Sequence, residues 1–308
     1  MDDKKTIVFL GPAGTFSELA AKYWQEKLGG AELSYELLPN AIAERVTENT
    51  FGVLPYYHTG EGLHVQSLEA MVDNSLRVID IHPVSINLSA GKYSGSKNLG
   101  TIYANKKVIE RIKKWRKNIG FPTINEYVES TAASAQTVQD AKAGIAIADE
   151  KTLEKYGLDI FAKGIYKSAT YFYLVCDRSH EVLPSKTDEY LTMLAVMPKT
   201  DTDAVLPEAM KDFFQEQAKK LKLVITKSWP NKESEWGKKT HMMYFEVARV
   251  ESAIDIPIII RDLTKPSQDN PFQEVRVLGS YANPTPLGKV GSSFIISPTK
   301  ASIPKGMQ

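Results

Sequence analysis

The apolar positions of this chain change period as they run along it. Residues 6–10 (TIVFL) form a short run rich in β-branched side chains, which predicts a buried strand. Gly11-Pro12-Ala13-Gly14 breaks the run. Apolar residues then recur at helical spacing as Phe16, Leu19, Ala20, Tyr23, Trp24 and Leu28, until Gly29-Gly30 ends the helix. Further strands are predicted over 33–38, 51–54, 78–81, 84–88 and 101–103, with helices near 65–72 and 106–117. Ser130-Thr131 opens a small-residue helix, STAASAQTVQDAKA. A strand at 144–148, a helix at 150–156 and a strand at 171–176 follow. Such alternation predicts an α/β domain.

The polar stretch 178–188, with Pro184, reads as a domain boundary. Beyond it the pattern gives a strand at 190–196, a helix at 209–220, strands at 223–228 and 242–250, a helix at 256–263 and a strand at 275–280. This is a βαββαβ, ferredoxin-like order. Residues 283–308 are rich in Pro, Gly, Ser and Lys and read as a tail. The expected division is therefore 1–182, 188–284 and 285–308.

Composition removes some partners. A chain of 308 residues is long enough for two domains. Lys plus Arg number 38 and Asp plus Glu 37, so nothing in the net charge of +1 favours nucleic acid or an anionic membrane as partner. The basic segment Lys106–Lys117 reads as a solvated helix face. No apolar stretch approaches the ~20 residues that span a bilayer, and no leader pattern is seen, so a cytoplasmic location is expected. The single cysteine, Cys176, excludes an intrachain disulfide. Its setting, YFYLVC, reads as a buried strand.

Two helix starts carry candidate chemistry. In Gly11–Ser17 (GPAGTFS) the glycines permit a tight turn, and the following helix offers free N–H groups and a positive dipole end to a carboxylate or phosphate. Thr15 and Ser17 can cap that helix or reach the anion. Ser130-Thr131 repeats the arrangement, with Ala132 and Ala133 leaving the backbone approachable. Ordinary capping explains either one alone; the two together suggest a two-part anion-binding cleft.

The chain resembles the prephenate dehydratase family in an ordered set of motifs. GPAGTFSELAA is similar to the family's opening motif, and Phe51-Gly52-Val53-Leu54-Pro55 to its Tyr-Gly-Val-Val-Pro strand. Thr59-Gly60-Glu61-Gly62 resembles its Ser-x-Glu-Gly, and Ser130-Thr131-Ala132-Ala133-Ser134-Ala135 its Ser-Thr-Ala-Ala-x-Ala. Tyr156-Gly157-Leu158 and Arg276–Tyr281 complete the series. The resemblance implies two α/β lobes like a periplasmic binding protein with prephenate between them, then an ACT-type domain that pairs in a homodimer or homotetramer. It implies a carbon–oxygen lyase of phenylalanine biosynthesis that expels the C4 hydroxyl and carbon dioxide from prephenate, leaving phenylpyruvate, with no cofactor and no metal. Thr170 matches the family's catalytic threonine. Thr15, Phe16, Ser17, Thr59, Ser130, Thr131, Ala132, Tyr171 and Phe172 fall at substrate-binding positions.

Three departures stand out. The family's Glu-Asn-Ser is Tyr57-His58-Thr59 here, and its Thr-Arg-Phe is Thr170-Tyr171-Phe172. A tyrosine cannot make the bidentate, charge-assisted contact that arginine offers a carboxylate. His58 reads either as a catalytic acid, base or cation, or as a packed neutral ring; His64, His82 and His241 receive no site role. In the ACT-like region the family's Gly-Ala-Leu and Glu-Ser-Arg-Pro become Asp203-Ala204-Val205 and Lys227-Ser228-Trp229-Pro230, so weak phenylalanine feedback is expected. These departures are similar to those of non-aromatising prephenate decarboxylases, which keep the hydroxyl. A non-catalytic metabolite-binding regulator is the third reading.

Overall fold

The computed structural model describes residues 4–120, 123–178, 190–198, 206–220, 223–230, 243–249 and 272–282. The chain begins β1 (Thr6–Leu10), α1 (Phe16–Lys27), β2 (Glu32–Glu36), α2 (Pro39–Glu44), β3 (Thr50–His58), β4 (Gly62–Leu63) and α3 (Val65–Asp73). It continues β5 (Arg77–Lys92), β6 (Thr101–Ala104), α4 (Lys106–Arg111), α5 (Lys113–Arg116), β7 (Ile124–Tyr127), α6 (Thr131–Ala141), β8 (Ile145–Ala148), α7 (Glu150–Lys155) and β9 (Asp159–Cys176). The last elements are β10 (Tyr190–Pro198), α8 (Leu206–Lys220), β11 (Leu223–Pro230), β12 (Met243–Arg249) and β13 (Phe272–Ala282).

Four features differ from the sequence reading. The runs at 78–81 and 84–88 are one strand, β5, in which Pro83 is exposed. The strand at 171–176 is only the end of β9, which begins at Asp159. The helix at 106–117 divides at Ile112 into α4 and α5. The sequence reading contains neither the short helix α2 nor the short strands β4 and β7. The helix at 256–263, the tail 283–308, Asp203–Val205 and nearly all of the 178–188 boundary lie outside the described residues.

Contacts divide the chain into two units. One draws on Met1–Pro83 and Tyr171–Ser292, the other on Val84–Thr170. The first unit has strands in the order β11-β12-β10-β13-β5-β9-β3-β1-β2, with β4 on β3. β1 is parallel to both neighbours, and its Ile7, Val8 and Phe9 are buried, as a strand covered on two faces requires. β10 runs antiparallel to β12 and β13, and β12 antiparallel to β11. Phe214 of α8 stacks on Phe245 of β12 at 3.8 Å between ring centroids. Cys176 is fully buried, and burial pushes its thiol pKa up to about 11, which keeps it a packed thiol.

Helix α1 buries Ser17, Ala20, Ala21 and Trp24, one stripe at 3–4-residue spacing. Its far end is tied to β5. The Trp24 indole Nε1 donates to Asp80 Oδ2 at 2.9 Å, Lys27 Nζ reaches the same oxygen at 3.4 Å, and the His82 ring stacks on Tyr23 at 3.7 Å. Burial holds His82 below its ordinary 6.5; the Asp80 carboxylate opposes this and Lys27 adds to it. The folded protein therefore binds this proton less readily than the unfolded chain. The cost appears as pH falls below about 6.5, through the lowered pKa. His82→Phe, which keeps a ring on Tyr23, should lose less melting temperature than the parent between about pH 7.5 and about pH 5. Equal losses in the two proteins would contradict this account.

In the second unit β6 is parallel to β7 and β8, and β8 is antiparallel to the second half of β5. Helix α6 packs on these strands through Ala135 and Val138, against Ala146, Ala148, Leu153 and Leu158. The buried Ser134 hydroxyl joins three elements: it donates to the Tyr103 carbonyl at 2.5 Å and accepts the Ile147 N–H at 2.9 Å. This explains a serine in a helix face otherwise made of small apolar side chains.

Candidate functional site

The Gly11–Ser17 turn is built tightly. A Cβ on Gly11 would press on the Tyr35 ring, and Gly14 has φ +83°, a conformation glycine adopts most readily. Thr15 is the N-cap of α1, but its hydroxyl donates back to the Leu10 carbonyl at 3.3 Å rather than capping the helix. Glu18 supplies the anion instead. Its carboxylate accepts the Gly14 N–H at 2.5 Å and pairs with Lys22 at 2.7 Å, and both contacts lower its pKa. The N-terminus of α1 thus carries an internal negative charge. Thr15 followed three residues later by Glu18 is a capping-box spacing, so the signal was present in the sequence. Phe16 is half-buried and Ser17 buried beside this turn.

His58 ends β3 with no exposed surface. Its Nδ1 accepts the Gly60 N–H at 3.1 Å, which requires that nitrogen to be unprotonated. The Glu61 N–H also reaches the His58 carbonyl at 3.2 Å, and Tyr57 and His58 pair with Leu63 and Gly62 across the β3–β4 hairpin. The ring therefore braces the turn that presents exposed Thr59. In this geometry His58 is a packed, hydrogen-bonded ring at the base of that turn.

The two tyrosines at departing positions lie against each other. The Tyr57 and Tyr171 rings are 6.2 Å apart and tilted by 53°, and both are half-buried. Burial, with Tyr57 beside it, raises the Tyr171 phenol above its ordinary range. Phe172, next along β9, is buried.

The second unit holds the other candidates. Ser130 is the N-cap of α6 and its Oγ accepts the Ala133 N–H at 3.1 Å. Thr131 and Ala132 form the half-buried first turn. No acidic residue stands in that turn, unlike α1. The positive end of this 11-residue helix is therefore not neutralised from within. Thr170 is 6% exposed and lies on the same alternate register of β9 as buried Ser168. Among the described residues, no cluster of three or more His, Cys, Asp or Glu could hold a metal ion, and no helix is long and apolar enough to cross a membrane. One buried acid, Glu246, escaped the sequence reading altogether.

Comparison with known proteins follows the same outline. The family model described as prephenate dehydratase matches residues 7–180. A prephenate dehydratase of Mycolicibacterium gilvum (strain PYR-GCK) is 27% identical over 175 residues, 52% of this chain and 56% of the relative, so the chain spans about half the length of that curated relative. A prephenate dehydratase structure from Arthrobacter aurescens in complex with L-Phe aligns with TM-score 0.65 and 24% identity, covering 90% of each chain. GqqA, described as a novel type of quorum quenching acylase, aligns with TM-score 0.62 and 16% identity, over 91% of this chain and 98% of that one. These structural likenesses speak to fold.

Proposed function

Because the chain belongs to the prephenate dehydratase family, we propose that it is a lyase acting on prephenate. The observation that carries the reading is the start of α6: an N-terminus with Ser130 and Thr131 hydroxyls, small Ala132 and Ala133, and no internal acid. Such a start suits a substrate carboxylate. Thr59, Thr15, Phe16, Ser17, Tyr171 and Phe172 are assigned to binding, and His58 to bracing the turn of Thr59. Thr170 is assigned to the reacting centre. Its hydroxyl proton passes to the departing C4 oxygen, while the electron pair of the breaking carbon–carboxylate bond enters the ring and carbon dioxide leaves. Aromatisation supplies the driving force, so the protein's task is to orient two carboxylates and one proton. Residues 188–284 are assigned to an ACT-type domain serving self-association.

A second reading has a specific observation behind it. Tyr57 and Tyr171, packed together, stand where the resemblance predicts an acid and an arginine. Two phenols, in place of an acid and an arginine, suit decarboxylation with retention of the hydroxyl, the non-aromatising outcome. Incubation with prephenate at neutral pH, followed by absorbance and NMR, separates the readings. Phenylpyruvate supports the dehydratase, a dihydro-hydroxyphenylpyruvate the decarboxylase, and unchanged prephenate removes both. Acid must be avoided because prephenate aromatises in it unaided.

A further inference from the structure

Glu246 of β12 is an acidic residue, yet it is only 1% exposed. It accepts the Tyr56 hydroxyl of β3 at 2.9 Å and the Tyr281 hydroxyl of β13 at 2.7 Å. Tyr281 in turn shares a hydrogen bond of 2.8 Å with Tyr173 of β9, whose ring stacks on Tyr56 at 4.0 Å and 8°. Four strands thus meet at one buried acid. Desolvating a carboxylate is costly, and well-packed apolar side chains often stabilise a core as well or better. Hydrogen bonds in a buried network are directional and reinforce one another, so what such a network supplies is fixed geometry. That geometry extends outward. Tyr171 packs against both Tyr56, at 6.3 Å, and Tyr57, at 6.2 Å. The ring that Glu246 holds is therefore the inner support of the Tyr57–Tyr171 pair.

We propose that Glu246 is a positioning residue: through Tyr56 it sets the Tyr57–Tyr171 pair that receives the substrate, and so couples strand β12 to substrate affinity. This rests on the reading of the chain as a prephenate-binding enzyme. Three full-length variants test it, each first shown by thermal melting to be folded. Tyr56→Phe keeps the ring on Tyr173 and removes only the donor; Glu246→Leu removes the acceptor; Glu246→Gln keeps an acceptor oxygen. The expected result is a KM for prephenate raised about tenfold in the first two, with kcat within about twofold and near-parental KM in Glu246→Gln, the size expected for one buried hydrogen bond. A KM within twofold of the parent in Tyr56→Phe overturns the proposal even if Glu246→Leu fails to fold. Amide hydrogen exchange at Thr59–Glu61 in the ligand-free proteins gives a substrate-independent readout. Faster exchange in Tyr56→Phe than in Glu246→Gln supports the coupling even if the parent leaves prephenate unchanged, which would refute only the catalytic reading. Exchange in Tyr56→Phe equal to that of a parent that consumes prephenate overturns the coupling and leaves that reading intact.

Discussion

Gly279→Ala is expected to destabilise the protein by about 3 kcal/mol or more, one of the largest single losses open to this chain. Gly279 is where β13 meets β5, through its pairing with Val78. A Cβ at this position would lie 2.6 Å from the Val78 nitrogen and 2.8 Å from its Cβ, and nearer still to its carbonyl oxygen. The obstacle is mainly backbone, so no rotamer change relieves it. The residue also has φ +143°, which L side chains rarely adopt. The ladder with β10 slips beside it, since Met193 pairs with Gly279 but Leu194 with Val277. Such a bulge bends the strand and is intolerant of side chains at its glycine. Alanine must therefore part β13 from β5, two residues before Tyr281. Gly14→Ala is the control: its φ is +83° but nothing lies within 4 Å of the added carbon, so it should cost only about 1 kcal/mol. Urea unfolding of both variants checks the difference; similar midpoints would show that close approach to β5 is not what Gly279 provides.

The sequence made most elements legible because their burial is local. β1, α1 and α3 each carry their whole pattern within one window, and Ser130 announces α6 by capping it. α2 has only six residues, two of them buried, too few to show a period. β5 was split because proline is read as a breaker, but Pro83 is an exposed position on it and the alternation resumes at Val84. The candidate site was legible in position and less so in chemistry. His58 could be placed in a strand, yet whether it faced solvent depended on the β4 hairpin that folds over it. Glu246 sits in MYFEVAR, where Tyr244, Phe245 and Val247 are also buried. An acid there has no local reason to be inside. Its partner Tyr56 is 190 residues away, so only the tertiary fold shows what satisfies it.

Thr170→Val should lower kcat for phenylpyruvate formation by about a hundredfold or more while leaving KM within about threefold, given that a positioned proton donor contributes 10²–10⁴ in rate. Valine has nearly the shape of threonine, so at this buried position the change removes chiefly the hydroxyl. Thr170→Ser restores that hydroxyl and should recover most of the rate. The pair of variants also distinguishes the two outcomes proposed for prephenate. If the hydroxyl leaves, it needs a proton at C4 oxygen, and Thr170→Val is crippled. If carbon dioxide leaves alone, the proton goes to a ring carbon, and loss of the Thr170 hydroxyl should change the rate by less than about tenfold. In that case Tyr171, a half-buried phenol packed on Tyr57, is the candidate for substrate control, and Tyr171→Phe rather than Thr170→Val should carry the larger loss. A Thr170→Val enzyme that still forms phenylpyruvate within threefold of the parental rate would remove Thr170 from the reacting centre.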